Sequence, residues 1–297
     1  MRYLMLALGA IAASAQAHSA AVDNASGGEA LVAALVIVAA SAYGWGAYRL
    51  WRSAGVGRGL SVPQVLAFVA AWLASLIALE GPVVAIAGES FAAHMAQHET
   101  LMVIAAPLFV VGRPLAAWSW SLPASWRGRI AGATALRLAA VLWHGLTQPL
   151  TATVLQIIVV WLAHVPRIFD YAVSDPWTHA LQHAAFFIAA IAFWTALLRH
   201  SNPLEGLAKT ALVFVTMLGI GALGALLTFA RAPWYDAYAA TDSLRSLSRV
   251  DDQQLGGLLM WIPGGLPYIA AALWLLVRSL RFWPPRASRR ATATAES

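Results

Sequence analysis

The 21 residues 178–198, THALQHAAFFIAAIAFWTALL, contain no Asp, Glu, Lys or Arg. A run of this length and character matches the ~20 apolar residues that an α-helix needs to cross a ~30 Å hydrocarbon core. It shows no alternation of period two, so a membrane β-strand does not fit. Working outward, six more apolar stretches of similar length fall at about 30–50, 63–80, 92–111, 147–165, 209–229 and 254–277. The pattern predicts an all-α integral membrane bundle of seven transmembrane helices after an N-terminal signal peptide, oriented N-out/C-in.

Composition points the same way. The chain is 60% hydrophobic and 11% charged, whereas soluble chains run at about 45–50% apolar and about 25% charged. Mean hydropathy is +0.69. The absence of cysteine excludes disulfides, thiolate metal sites and thiol nucleophiles. A pI near 10.2 does not mark nucleic-acid binding, because the 18 Arg and single Lys are scattered between apolar runs.

Residues 1–17, MRYLMLALGAIAASAQA, read as a signal peptide cleaved before His18, with an uncleaved anchor as the alternative. Residues 18–28 form an extracytoplasmic tail, 29–283 the seven-span domain, and 284–297 a disordered basic cytoplasmic tail that contacts lipid headgroups at most. Residues 127–145 are apolar but hold Arg127, Arg129, Arg137 and His144. They read as an interfacial helix leading into the fourth span, with a re-entrant segment as the alternative. In the N-out arrangement 14 basic residues are cytoplasmic and four are outside, as the positive-inside rule requires. Trp51, Trp118, Trp120, Trp126 and Trp283 then lie at the inner interface, and Trp177 and Trp234 at the outer one. No long-period repeat is evident.

That topology gathers histidines. His94 and His98 open the third span, His164 closes the fourth, and His179 and His183 open the fifth, all near the outer face. Each pair is spaced i, i+4, which puts both rings on one helical face. Both pairs share the form H-x-x-Q-H, as HMAQH and HALQH. Imidazole is a good ligand for copper, zinc and iron. A single interfacial histidine is ordinarily a polar anchor. Five in one layer, where ionisable groups cost about 2.5–3.5 kcal/mol each at the membrane centre and less near its interface, point to a metal or heme role. Met95, Met102 and Met260 add thioethers that suit Cu(I), although each alone also reads as packing. Asp251 and Asp252 read either as partners of the ligating imidazoles or as helix-capping charges. One shared site or tightly adjacent sites among the three helices are expected, with His164 included, rather than two independent ones. There is no GxSxG, HExxH or Walker loop, so no enzyme is predicted.

The runs HMAQHETLMVIAAPLFVVGRPL (94–115), WLAHVPRIFDYA (161–172) and HALQHAAFFIAAIAFW (179–194) closely resemble the CtaG family of bacterial cytochrome c oxidase assembly factors. So do LGALLTFARAPWYDAYA (223–239) and DDQQLGGLLMWIPGG (251–265). The likeness is to the multi-span Bacillus-type family of caa-type oxidases and covers roughly residues 60–280; the N-terminal segment and the Arg-rich 127–137 stretch depart from it. It implies a multi-pass inner-membrane protein that assists maturation of a heme-copper oxidase, with oxidase subunits and a periplasmic copper donor as partners beside the lipid bilayer. Joined to the His/Met layer, it leads to copper as the expected cofactor. A heme-binding electron-transfer protein and a metal-free scaffold for oxidase subunits are the alternatives.

Overall fold

The structure, a computed structural model, describes residues 27–80, 82–199, 202–239 and 247–281. The expected signal peptide, the start of the tail with His18, His200 and the segment 284–297 lie outside the described residues. Among the described residues the chain is all helix and turn, without a strand. In chain order the helices are α1 Gly27–Ala54, α2 Val62–Glu80, α3 Pro82–Ala87 and α4 Phe91–Glu99. A π-helical stretch, Thr100–Ala105, runs from α4 into α5 Ala106–Val111. Then come α6 Pro114–Ser121, α7 Ala124–Gly132, α8 Thr134–Leu146, α9 Pro149–Ala163, α10 Pro166–Ser174 and α11 Pro176–Leu198. The last three are α12 Pro203–Thr228, α13 Arg249–Trp261 and α14 Gly265–Arg281.

Four spans are long and apolar enough to cross a bilayer: α2, α11, α12 and the 33-residue α13–α14 unit. Two bent pairs raise the number to six if each is one span. The first, Phe91–Val111 with Pro114–Ser121, bends by 57°; the second, Leu136–Leu146 with Pro149–Ala163, bends by 82°. Both bends have local causes. Arg113 takes a left-handed φ of 48° before Pro114, and Gln148 is extended before Pro149, as the residue preceding proline prefers. The expected continuous span 147–165 is therefore a 15-residue helix, about 23 Å long at ~1.5 Å per residue, turned sharply off α8.

Proline at the first helical position starts α6, α9, α10, α11 and α12, where its missing N–H costs nothing. Polar caps sharpen other starts. Ser90 accepts from Ala93 N, Asp175 from Thr178 N and Asn202 from Glu205 N; Ser248 and Asp251 form a capping box. Leu66, Val69, Leu73 and Ile77 make an exposed apolar stripe on α2, the outward face expected of a helix solvated by lipid. Inside, Trp194 stacks on Tyr268 with centroids 5.8 Å apart, beside Phe193, Phe186 and Val160. A smaller core joins α1 to α2 and α6 through Tyr43, stacked on Phe68 at 3.6 Å. Gly224 and Gly257 bring α12 and α13 together so closely that a Cβ on Gly257 would sit 2.6 Å from the Gly224 carbonyl oxygen. Lys209, counted among the cytoplasmic charges, is buried and pairs with Glu205 at 3.0 Å.

The folded chain also exposes a repeat that inspection of the sequence does not. His179 follows His94 by 85 residues, and the same offset relates His98 to His183, Gln97 to Gln182 and the cap Ser90 to Asp175. It also carries the start of α4 onto the start of α11 and α3 into α10, and it places α9 within the image of α2. The Gln97 amide donates to the Ala78 carbonyl at 2.7 Å, and Gln182 donates to Ala163, again 85 residues on. The chain therefore contains two parallel helix–short helix–helix units, of the kind that places a binding site at the repeat interface. Few side chains outside the histidine motif match, which is why the period is silent in the sequence.

Candidate metal centre

α4 and the start of α11 face each other through the two H-x-x-Q-H motifs, whose rings meet. His94, His98, His179 and His183 each offer a ring nitrogen, and these four atoms lie within 4.8 Å of one another. Ring centroids are 4.4 Å apart for His94/His98, 4.3 Å for His179/His183, and 5.1 Å for both His94/His179 and His98/His183. His94 and His98 are 2% and 1% exposed. Phe169 and Phe186 pack against them at 5.3 and 4.5 Å. The Nε2 atoms of all four, and Nδ1 of His98, have no hydrogen-bond partner. Buried polar atoms left unpaired are costly, and a cation that accepts several imidazole lone pairs removes that cost. The donor set fits a borderline metal such as copper or zinc. His179 and His183 also line a largely apolar cavity of about 280 Å³, walled by Leu35, Leu79 and Ala180 among others.

The elements around the cluster hold it in place. Asp252 of α13 is 6% exposed and caps α4: its oxygens accept from Ser90 Oγ at 2.6 Å, Phe91 N at 2.7 Å and Ala92 N at 3.3 Å. A carboxylate suits the positive end of that helix. Its role is thus to anchor the helix that carries His94 and His98. Asp251 serves its own helix, through the box with Ser248. On α11, Thr178 donates from its hydroxyl and its backbone to Asp175 and holds that carboxyl below its ordinary range.

Tyr238, which sequence reasoning did not single out, lies 2.9 Å from His94 Nδ1 and donates to the Ala87 carbonyl at 3.2 Å. A carbonyl only accepts, so where the phenol proton goes to Ala87 the Tyr238 oxygen accepts from His94 Nδ1–H. That tautomer turns the Nε2 lone pair toward the cluster. Burial pushes the Tyr238 hydroxyl well above its usual range, so it stays neutral. Its only signal in sequence was its place in the 223–239 motif.

The remaining candidates separate. His164 lies outside the group of four, its ring 6.1 Å from that of His98. Its Nε2 faces Met95 Sδ at 3.2 Å, and Tyr235 donates to its backbone carbonyl at 3.1 Å. The Met102 sulfur accepts from Gln156 Nε2 at 3.5 Å, and Met260 lies in the apolar core. His144 pairs with Gln148 at the α8–α9 bend, away from the cluster.

No solved structure matches this chain. An uncharacterized protein of Mycobacterium tuberculosis is 28% identical over 264 residues, 85% of this chain and 39% of that protein. One from Mycobacterium leprae is 26% identical over 262 residues with the same coverage. The chain spans about two fifths of the length of these curated relatives. The cytochrome c oxidase caa3 assembly factor (Caa3_CtaG) family model matches residues 41–281, from within α1 to the end of α14. By that match over most of its length, the chain belongs to the cytochrome c oxidase caa3 assembly factor family.

Proposed function

We propose that this oxidase assembly factor holds a copper ion among His94, His98, His179 and His183 and passes it to a copper centre of a heme-copper oxidase during assembly. Four histidines that each bring a ring nitrogen within 4.8 Å of the others, with all four Nε2 atoms unpartnered, carry the reading. The metal is cargo; the chain's residues bind it, orient the imidazoles and exclude competing hydrogen bonds. No catalytic turnover is proposed. Heme is disfavoured, because rings 4.3–5.1 Å apart, wedged by Phe169 and Phe186, leave no slot for a macrocycle. The copper donor would be periplasmic and the recipient an oxidase subunit.

The same proposal sets the cluster near the outer face of a bacterial inner membrane. Counting α1 with the four long spans and two bent pairs makes seven spans, N-out/C-in. The arginines support this orientation: most fall on the α1–α2 and α6–α9 connections and at the C-terminal end.

Replacing all four histidines by Gln in the host tests the function, with oxidase copper content measured at matched levels of the assembly factor. Copper-depleted oxidase is expected. Fully metallated oxidase would leave the metal-free scaffold as the function.

A further inference from the structure

The contact between His164 and Met95 is chemically odd. His164 Nδ1 lies 2.7 Å from the Val160 carbonyl oxygen, which only accepts, so Nδ1 must carry the ring proton. In the neutral imidazole Nε2 is then a bare lone pair. That lone pair faces Met95 Sδ at 3.2 Å, and a thioether sulfur is itself only an acceptor. Two acceptors thus meet in a place where His164 is 2% and Met95 0% exposed. A cation that took both lone pairs would relieve this contact.

The repeat shows that this pairing is specific to one side. The residue equivalent to His164 in the first unit is Leu79, and the residue equivalent to Met95 in the second is Ala180. Each donor is thus present in one unit and missing from the other, and the two meet each other. The symmetry-related place, by contrast, is part of the apolar cavity lined by Leu79 and Ala180. The four-histidine cluster obeys the repeat; the His164–Met95 pair breaks it.

We propose that His164 Nε2 and Met95 Sδ form a second metal site, for a soft monovalent cation of the Cu(I) class, beside the four-imidazole cluster. One imidazole and one thioether in an apolar wall favour a soft ion with low coordination number over Zn²⁺ or Cu²⁺. Met95, unbranched with three rotatable bonds, can move its sulfur to admit the ion. His98 connects the two sites: its ring is 5.1 Å from His183 and 6.1 Å from His164, and both of its nitrogens are unpartnered. An ion taken up from the side of the cavity by the four histidines would have the softer pair as its next stop. The inference rests on the metal-handling reading and deepens it, by giving that reading two sites of different hardness.

The test uses the purified full chain in detergent, loaded separately with Cu(II) and with Ag(I) as a redox-inert stand-in for Cu(I). X-ray absorption reports sulfur neighbours of silver; electron paramagnetic resonance reports nitrogen ligands of Cu(II). A sulfur neighbour in the wild type is expected, lost together with about one equivalent of Ag(I) in Met95→Leu. His164→Gln should do the same, and both variants should keep the multi-nitrogen Cu(II) signal. Met95→Leu nearly conserves volume, so it stays informative if His164→Gln fails to fold. Wild-type protein with the Cu(II) signal but no sulfur neighbour of silver would overturn this site alone. A sulfur neighbour that survives Met95→Leu would overturn it as well. Failure to bind either ion would overturn the metal-handling reading together with it.

Discussion

Tyr238→Phe removes one oxygen and keeps the ring that packs beside Phe91 and Phe169. With it go the 2.9 Å bond to His94 Nδ1 and the 3.2 Å bond to the Ala87 carbonyl. Tyr238 is 6% exposed and His94 is 2% exposed, so bulk solvent has little access to the hydroxyl. Two effects compete in size. Freeing the choice of tautomer alone costs affinity about twofold. Leaving Nδ1–H buried without an acceptor when Nε2 binds metal costs about 1–3 kcal/mol, and that larger effect decides the outcome. Loss of such an orienting bond typically lowers metal affinity by 10–100-fold, about 1.4–2.8 kcal/mol. Cu(II) affinity by competition with a chromophoric chelator should fall by that factor, with thermal unfolding of the metal-free protein recorded alongside. Tyr235→Phe is the control: its hydroxyl serves the His164 backbone carbonyl at 3.1 Å, and four-histidine affinity should change by less than about threefold. A folded Tyr238→Phe protein that binds Cu(II) as tightly as wild type would refute the orienting role and the tautomer argument with it.

Asp252→Ala removes a buried carboxylate that receives three donors from the start of α4; bonds to charged groups contribute about 1.5–3 kcal/mol each, so the unfolding midpoint in detergent should drop markedly, and an unchanged midpoint would show that α4 needs no cap. Gly257→Ala should cost about 1–3 kcal/mol, because its Cβ meets the Gly224 oxygen and Thr228 nitrogen, both backbone, at 2.6 Å. Gly44→Ala, with nothing within 4 Å, should be tolerated; equal effects at the two positions would contradict the tight α12–α13 approach. Cysteine-free wild type permits clean topology mapping: Arg167→Cys should react with an impermeant maleimide in cells with a permeable outer envelope, and Arg129→Cys should not. The reverse pattern would invert the orientation.

The helical class and the histidine pairs could be read from the sequence because both are local. A 21-residue uncharged run needs only its own length to declare a spanning helix, and i, i+4 spacing puts His94 beside His98 whatever else packs nearby. The proline-initiated helices were similarly open to reading. What lay beyond the sequence depends on pairs far apart in the chain. His94 meets Tyr238 across 144 residues and His164 meets Met95 across 69, and no local pattern encodes either. Asp252 could have capped its own helix, as Asp251 does; only the packing of α13 against α4 sends it to Phe91 and Ser90 instead. One site for all five histidines was a fair expectation from depth alone. Depth is one coordinate of three: His164, at the C-terminal cap of α9, lies 6.1 Å ring to ring from His98 and faces Met95 Sδ. The 85-residue repeat stayed hidden for a related reason: lipid-facing positions require only that a side chain be apolar, so helices of matching placement need share few residues outside the histidine motif.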